Sequence, residues 1–141
     1  MTASISVTLV NELSEVERLS RLIEAFGEAE GLEAESVFKL TLALDEVITN
    51  IVRYAHDDGQ QHPIFVRLAL DEHVLTAEVE DDGRPFNPLD VPAPDIGACL
   101  DDRPIGRLGI HIVRSVMTSV EYRRDGARNV LTLKRVLASD S

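Results

Sequence analysis

The chain has little of what most redox, metal and nucleic-acid chemistries require. Cys99 is its only cysteine, which excludes an intrachain disulfide and a cysteine-built metal cage. No lysine cluster stands near it to favour a thiolate, so it reads as an incidental thiol. Basic residues are scarce: 14 Lys and Arg against 25 Asp and Glu leave a net charge of −11. A surface of that sign repels a phosphate backbone, so no nucleic acid is expected as a partner, whereas a basic protein surface is compatible. No apolar run approaches the ~20 residues that span a bilayer. Met1 to Val10 alternates polar and apolar residues instead of forming the continuous block of a secretory signal. The expectation is a cytoplasmic protein with no membrane partner. Repeats, low-complexity tracts, a Gly-Lys-Ser/Thr P-loop and the ligand spacing of an EF-hand are absent as well. His56, His62, His73 and His111 fall in unrelated stretches, and no zinc site is expected among them.

What remains is an ordinary globular composition, 44% hydrophobic and 28% charged, over 141 residues. That length suits one domain, residues 1–141, with a sizeable core. Ile5, Val7 and Leu9 alternate with Ser4, Ser6 and Thr8, the pattern of a half-buried strand. Asn11 is a candidate N-cap for a helix carrying Leu13, Val16, Leu19, Ile23 and Phe26, which Gly31 can end in a left-handed turn. A longer helix places Val37, Leu40, Leu44, Val47, Ile48, Ile51 and Ala55 on one face and runs into an Asp57–Gln61 turn. Two strands follow, joined across Asp71-Glu72-His73. In the second, Leu75, Ala77, Val79 and Asp81 share a face, so Asp81 leaves the core row of an apolar strand and needs a hydrogen-bonding partner. Arg84 to Arg103 holds four prolines and Gly97 and reads as a long functional loop. Ile105 to Met117 is helical in period, and two closing strands, Val120 to Arg123 and Val130 to Val136, are joined through Arg124–Ala127. Strands with helices on one face predict a two-layer α/β sandwich.

Three segments carry chemistry. In Ala43-Leu44-Asp45-Glu46-Val47-Ile48-Thr49-Asn50, Glu46 and Asn50 lie one helical turn apart on the same face. The carboxylate suits a general base and the carboxamide oxygen suits a hard cation such as Mg²⁺. In Val79-Glu80-Asp81-Asp82-Gly83-Arg84-Pro85-Phe86-Asn87-Pro88, Asp81 can accept a hydrogen bond from an exocyclic purine amine. Gly83 removes a Cβ from the path of a flat ring. In Ile105-Gly106-Arg107-Leu108-Gly109-Ile110, two glycines open a helix whose free N–H groups attract phosphate oxygens. Each segment alone fits a blander reading: a solvated helix face, an Asp-Gly turn, a glycine-bearing turn. In this order they supply a base, a metal ligand, a purine contact and a phosphate cradle, which is the inventory of an ATP site.

The ordered set "ALDEVITNIVRYAH", "VEDDGRPFNP", "PIGRLGIHIVRSVM" and "SVEYRRDGARNVLTLKR" resembles the ATPase superfamily of gyrase, heat-shock chaperones and histidine kinases. Within it, the chain is most similar to the small serine kinases that act as anti-sigma factors in bacterial partner switching. The resemblance implies a Bergerat-type ATP-binding fold with a mixed, mainly antiparallel sheet. It implies Glu46 as general base, Asn50 as Mg²⁺ ligand, Asp81 on the adenine amine, and Gly83 and Phe86 in the same adenine box. Gly106, Arg107, Leu108 and Gly109 would wrap the phosphates under a lid at about 84–105. It further implies an anti-sigma-factor antagonist protein as phosphoryl acceptor, a sigma factor as competing partner, and a homodimer. Three positions depart from the pattern. Arg107 stands where many relatives carry glycine: if the position requires positive φ, Arg is strained there, and alternatively its guanidinium grips a phosphate oxygen. Pro85 replaces a superfamily glycine, and Thr118 follows Met117 where Asp is common. A non-catalytic, ATP-gated binding module is the alternative that Arg107 motivates.

Overall fold

The structure is a computed structural model, described here for residues 2–85 and 107–137, without the side chains of 2 and 107–110. Phe86, Cys99, Gly106 and residues 86–105 of the expected lid lie outside the described residues.

The alternating N-terminal stretch forms strand β1 (Thr2–Val10), with Leu9 buried and Ser4, Ser6 and Thr8 exposed. Helix α1 (Ser14–Glu30) ends as its sequence predicts: Gly31 adopts φ 70°, and Leu32 N–H returns to the Gly27 carbonyl at 2.9 Å. Its start differs. Leu13 occupies the N-cap position, and no side chain caps the helix. Asn11 is committed elsewhere: its Oδ1 accepts the His62 N–H at 2.8 Å, and its own N–H donates to the His62 carbonyl at 3.1 Å. The side chain that could cap α1 instead ties the end of β1 to the approach of the next strand.

Helix α2 (Ala34–Tyr54) buries Leu40, Ala43, Leu44, Val47 and Ile48, the face its apolar spacing predicts. Strands β2 (Pro63–Asp71) and β3 (Val74–Asp81) pair through a two-residue turn in which Glu72 takes φ 55°. Helix α3 (Arg107–Val116) precedes β4 (Ser119–Asp125) and β5 (Arg128–Val136), which turn at Gly126-Ala127 with Gly126 at φ 60°.

The five strands run in the order β1-β2-β3-β5-β4. All four pairings are antiparallel, so the parallel component expected of a mixed sheet is not present among the described residues. Leu9, Ile64, Val66, Leu68, Leu75, Ala77, Val79, Leu131 and Leu133 form one apolar face. Leu19, Ile23 and Phe26 of α1, the α2 stripe, and Val113 and Met117 beside α3 close over it. Burying this stripe supplies the main driving force for the layered fold. The other sheet face, with Ser4, Ser6, Thr8 and Arg67, is open. Arg135 extends from β5 to donate to the Val116 carbonyl at 2.8 Å, satisfying a helix-end acceptor and fixing α3 to the sheet. No helix among the described residues is long and apolar enough to cross a membrane.

Candidate nucleotide site

The apolar face turns polar along one row. Ile64, Asp81 and Asn129 lie side by side on β2, β3 and β5, and Arg124 of β4 faces Asn129. Asp81 is 5% exposed, the most buried carboxylate among the described residues. Its Oδ2 accepts the Gly83 N–H at 2.9 Å and Asn129 Nδ2 at 3.2 Å. Both bonds fall on the same oxygen, which leaves Oδ1 outside them. Burial pushes the Asp81 carboxyl above its ordinary value of 3.8, opposed by these two donors and by His56.

Asn129 organises this end of the sheet. Besides Asp81, its Nδ2 reaches the Arg84 carbonyl at 2.9 Å. Its Oδ1 accepts Tyr122 Oη–H at 2.6 Å and Arg124 Nη1 at 3.1 Å. Arg124 also donates to the Gly83 carbonyl at 2.8 Å. The turn after Asp81 is therefore held from below by two side chains of the closing hairpin. Neither stood out in sequence. The one available signal was a polar residue in the inward row of β5, in register with Leu131 and Leu133.

Gly83 has a reason to be glycine besides the expected flat ring. A Cβ built there would stand 2.5 Å from Ala55 Cβ, 2.8 Å from the Ala55 carbonyl and 2.8 Å from Asp81 Oδ2. The Arg84 N–H donates to that same Ala55 carbonyl at 3.1 Å. The missing side chain lets the end of β3 lie directly on the end of α2. Glu46 and Asn50 are carried on this helix, both half-buried, and neither has a hydrogen-bond or ion-pair partner among the described residues. Asp45, beside Glu46, lies toward Ser20 of α1. Burial, then the Glu46 charge, raise its carboxyl above the usual 3.8, and its Oδ1 is buried without a partner.

Arg107 is the first residue of α3, and Leu108 and Gly109 complete that opening turn. A helical backbone has negative φ, so the strain expected at Arg107 does not arise. The N–H groups of this first turn have no partners within the helix, as an anion site requires. The histidines correct the sequence reading more sharply. His73 lies in the β2–β3 turn and His111 is exposed on α3, but His56 and His62 stack face to face, with ring centroids 3.4 Å apart, beside Asp82. Hydrogen bonding from His62 Nε2 to the two Asp58 oxygens, at 3.1 and 2.8 Å, raises the His62 imidazole above its ordinary 6.5.

The site thus sets a buried Asp, at the end of an apolar strand, against a helix that carries an unpartnered Glu/Asn pair. The chain belongs to the histidine kinase-like ATPase domain family, whose profile matches residues 9–135. It is 31% identical over 104 residues to the serine/threonine-protein kinase BtrW of Bordetella bronchiseptica, covering 74% of this chain and 73% of that one. It is 28% identical over 107 residues to the serine-protein kinase RsbW of Listeria monocytogenes, covering 72% and 68%. The fold matches a Mycobacterium tuberculosis structure of RsbU and RsbW domains at TM-score 0.70 and 14% identity. That match covers 99% of this chain but only 34% of the larger protein. The Acinetobacter baumannii histidine kinase AdeS matches at TM-score 0.54 and 15% identity, covering 94% and 68%. The family makes adenine nucleotide the ligand class, and the two sequence relatives are protein kinases for serine or threonine.

Proposed function

We propose that this protein is a Mg-ATP-dependent serine/threonine kinase and anti-sigma factor. It phosphorylates a small antagonist protein and exchanges that partner for a sigma factor. The observation that carries the reading is the junction of Gly83 with Ala55, which joins the adenine end of the site to the helix bearing the catalytic pair. Along α2, Asn50 precedes Ala55 by about 7.5 Å and Glu46 by about 13.5 Å at 1.5 Å per residue. Moving away from Asp81, the order is therefore purine contact, then metal ligand, then base. Adenine, magnesium-bound phosphates and terminal phosphate follow one another in the same order.

In this reading Asp81 accepts from the adenine amine, held in place by Asn129 and the Gly83 N–H. The opening turn of α3, with Arg107, Leu108 and Gly109, receives the phosphates together with Gly106, and the stretch 84–105 serves as the ATP lid. A single carboxamide oxygen fits Mg²⁺, which keeps few protein ligands when phosphates and water complete its octahedron; the bound ion would neutralise phosphate charge. The unpartnered Glu46 takes the proton of the acceptor hydroxyl as that oxygen bonds to the γ-phosphorus and the bond to ADP breaks. The acidic surface suits partners presenting basic patches. A homodimer and cytoplasmic action complete the proposal.

The test is transfer of label from γ-labelled ATP to a purified antagonist. Glu46→Gln is expected to bind ATP normally and to lose transfer by about 10²–10⁴-fold. Partner regulation that survives Glu46→Gln unchanged would establish the non-catalytic, nucleotide-gated module instead.

A further inference from the structure

We propose that His56, His62 and Asp82 form a binding site for a zinc-class divalent ion, distinct from any magnesium carried by Asn50. His56 Nε2 lies 3.0 Å and His62 Nδ1 3.6 Å from the same oxygen, Asp82 Oδ1. All three ligand atoms fall within 4.8 Å of one another. Two ligands at tetrahedral angles around zinc stand about 3.3 Å apart, given bonds of about 2.0–2.2 Å. The preformed spacings bracket that value.

The surroundings are those of a metal centre. His62 directs Nε2 at the Asp58 carboxylate, the outer partner that would hold the ring when Nδ1 ligates an ion. Asp58 is itself fixed by the Gln60 N–H at 3.0 Å, and the His62 backbone by its two bonds to Asn11. His56 Nε2 is buried and makes no aligned hydrogen bond despite its 3.0 Å approach to Asp82. A buried ring nitrogen this close to a carboxylate oxygen, with no aligned hydrogen bond between them, suits a shared cation. Asp82 and Asp58 are 40% and 46% exposed, which supplies an entry path and room for water as fourth ligand. Two imidazoles and one carboxylate select Zn²⁺, Co²⁺, Ni²⁺ or Cu²⁺ over Mg²⁺, which prefers oxygen. The parallel rings hold their lone pairs in separate planes, so binding tilts one ring out of the stack. The ion would then clamp the end of α2 to the turn after β3, the junction on which the nucleotide site is built.

The experiment uses tag-free, metal-free full-length protein without nucleotide, so its outcome is independent of the kinase reading. Titration with Co²⁺ is expected to produce the visible absorption of a four-coordinate ion, saturating at one equivalent. Zn²⁺ is expected to compete it away and to raise Tm, and Mg²⁺ to do neither. His56→Gln and His62→Gln are expected to abolish the absorption, and Asp58→Asn to weaken binding by about 10–100-fold. Circular dichroism of the metal-free variants checks folding. Should a variant fail to fold, imidazole NMR signals of the wild type decide: Zn²⁺ is expected to shift His56 and His62 and to leave His73 and His111 in place. No saturable cobalt spectrum, unchanged affinity in His56→Gln and His62→Gln, or shifts at His73 and His111 instead would each overturn the assignment.

Discussion

Gly83→Ala is the most economical perturbation of this molecule, because one methyl group tests the junction that connects two halves of the site. The added carbon would meet Ala55 Cβ at 2.5 Å and two oxygens at 2.8 Å, well inside the 3.4 Å at which ordinary contact begins. One of those oxygens is backbone, so no flexible side chain can yield. The turn must move, and four hydrogen bonds move with it: Gly83 N–H to Asp81, Arg84 N–H to Ala55, and the Gly83 and Arg84 carbonyls to Arg124 and Asn129. Overpacking of this kind costs about 1–3 kcal/mol. For a chain of this size that corresponds to a fall in Tm of roughly 2–12 °C. Under the proposed contact of Asp81 with the adenine amine, moving this turn is also expected to weaken ATP binding. Thermal melts and calorimetry with ATP measure the two effects separately. The double variant Ala55→Gly/Gly83→Ala is expected to lose less than the sum of the single losses, since the Cβ–Cβ clash disappears while the carbonyl clash stays. Native Tm together with native ATP affinity in Gly83→Ala would refute the close approach and the reasoning built on it.

Three further outcomes are expected. Asn129→Leu removes the donor to Asp81 and the acceptor of Tyr122 and Arg124. Each buried group left unsatisfied costs about 1–3 kcal/mol, so the urea midpoint should fall by at least ~2 kcal/mol equivalent, with ATP affinity falling in parallel. Asn50→Ala is expected to abolish the magnesium dependence of ATP binding while leaving metal-free nucleotide binding unchanged, measured by calorimetry with and without chelator. Asp45→Asn addresses a carboxyl whose folded-state pKa is raised. Such a group contributes stability below its unfolded pKa and loses it as pH rises through the folded value. At neutral pH Asp45→Asn is therefore expected to melt higher than the parent, with the difference shrinking on acidification; an unchanged Tm across the range would contradict the assignment.

The binary pattern made most of the secondary structure legible, because a strand or helix with one buried face carries its period in its own residues. Leu75, Ala77, Val79 and Asp81 were readable as one row of β3, and the αL turn at Gly31 as the end of α1. Asn11 was misread because a capping residue and a cross-link to a distant strand look identical locally. The choice between them depends on where His62 lies. The order β1-β2-β3-β5-β4 among the described strands was equally hidden, since pairing partners leave no mark on an isolated strand.

The candidate site divides the same way. Sequence alone determined the chemical inventory: a Glu/Asn pair one turn apart, an Asp ending an apolar strand, and a glycine-bearing helix opening. These are local spacings, and local geometry is dictated by neighbours in the chain. Tertiary structure decided which of these residues meet, and on what support. It set Gly83 against Ala55, gave Asp81 its support through Asn129 and Arg124, and brought His56 and His62 together beside Asp82. Those contacts join residues up to 48 positions apart in the chain. Their formation follows from the order in which strands pack, which no short window of sequence contains.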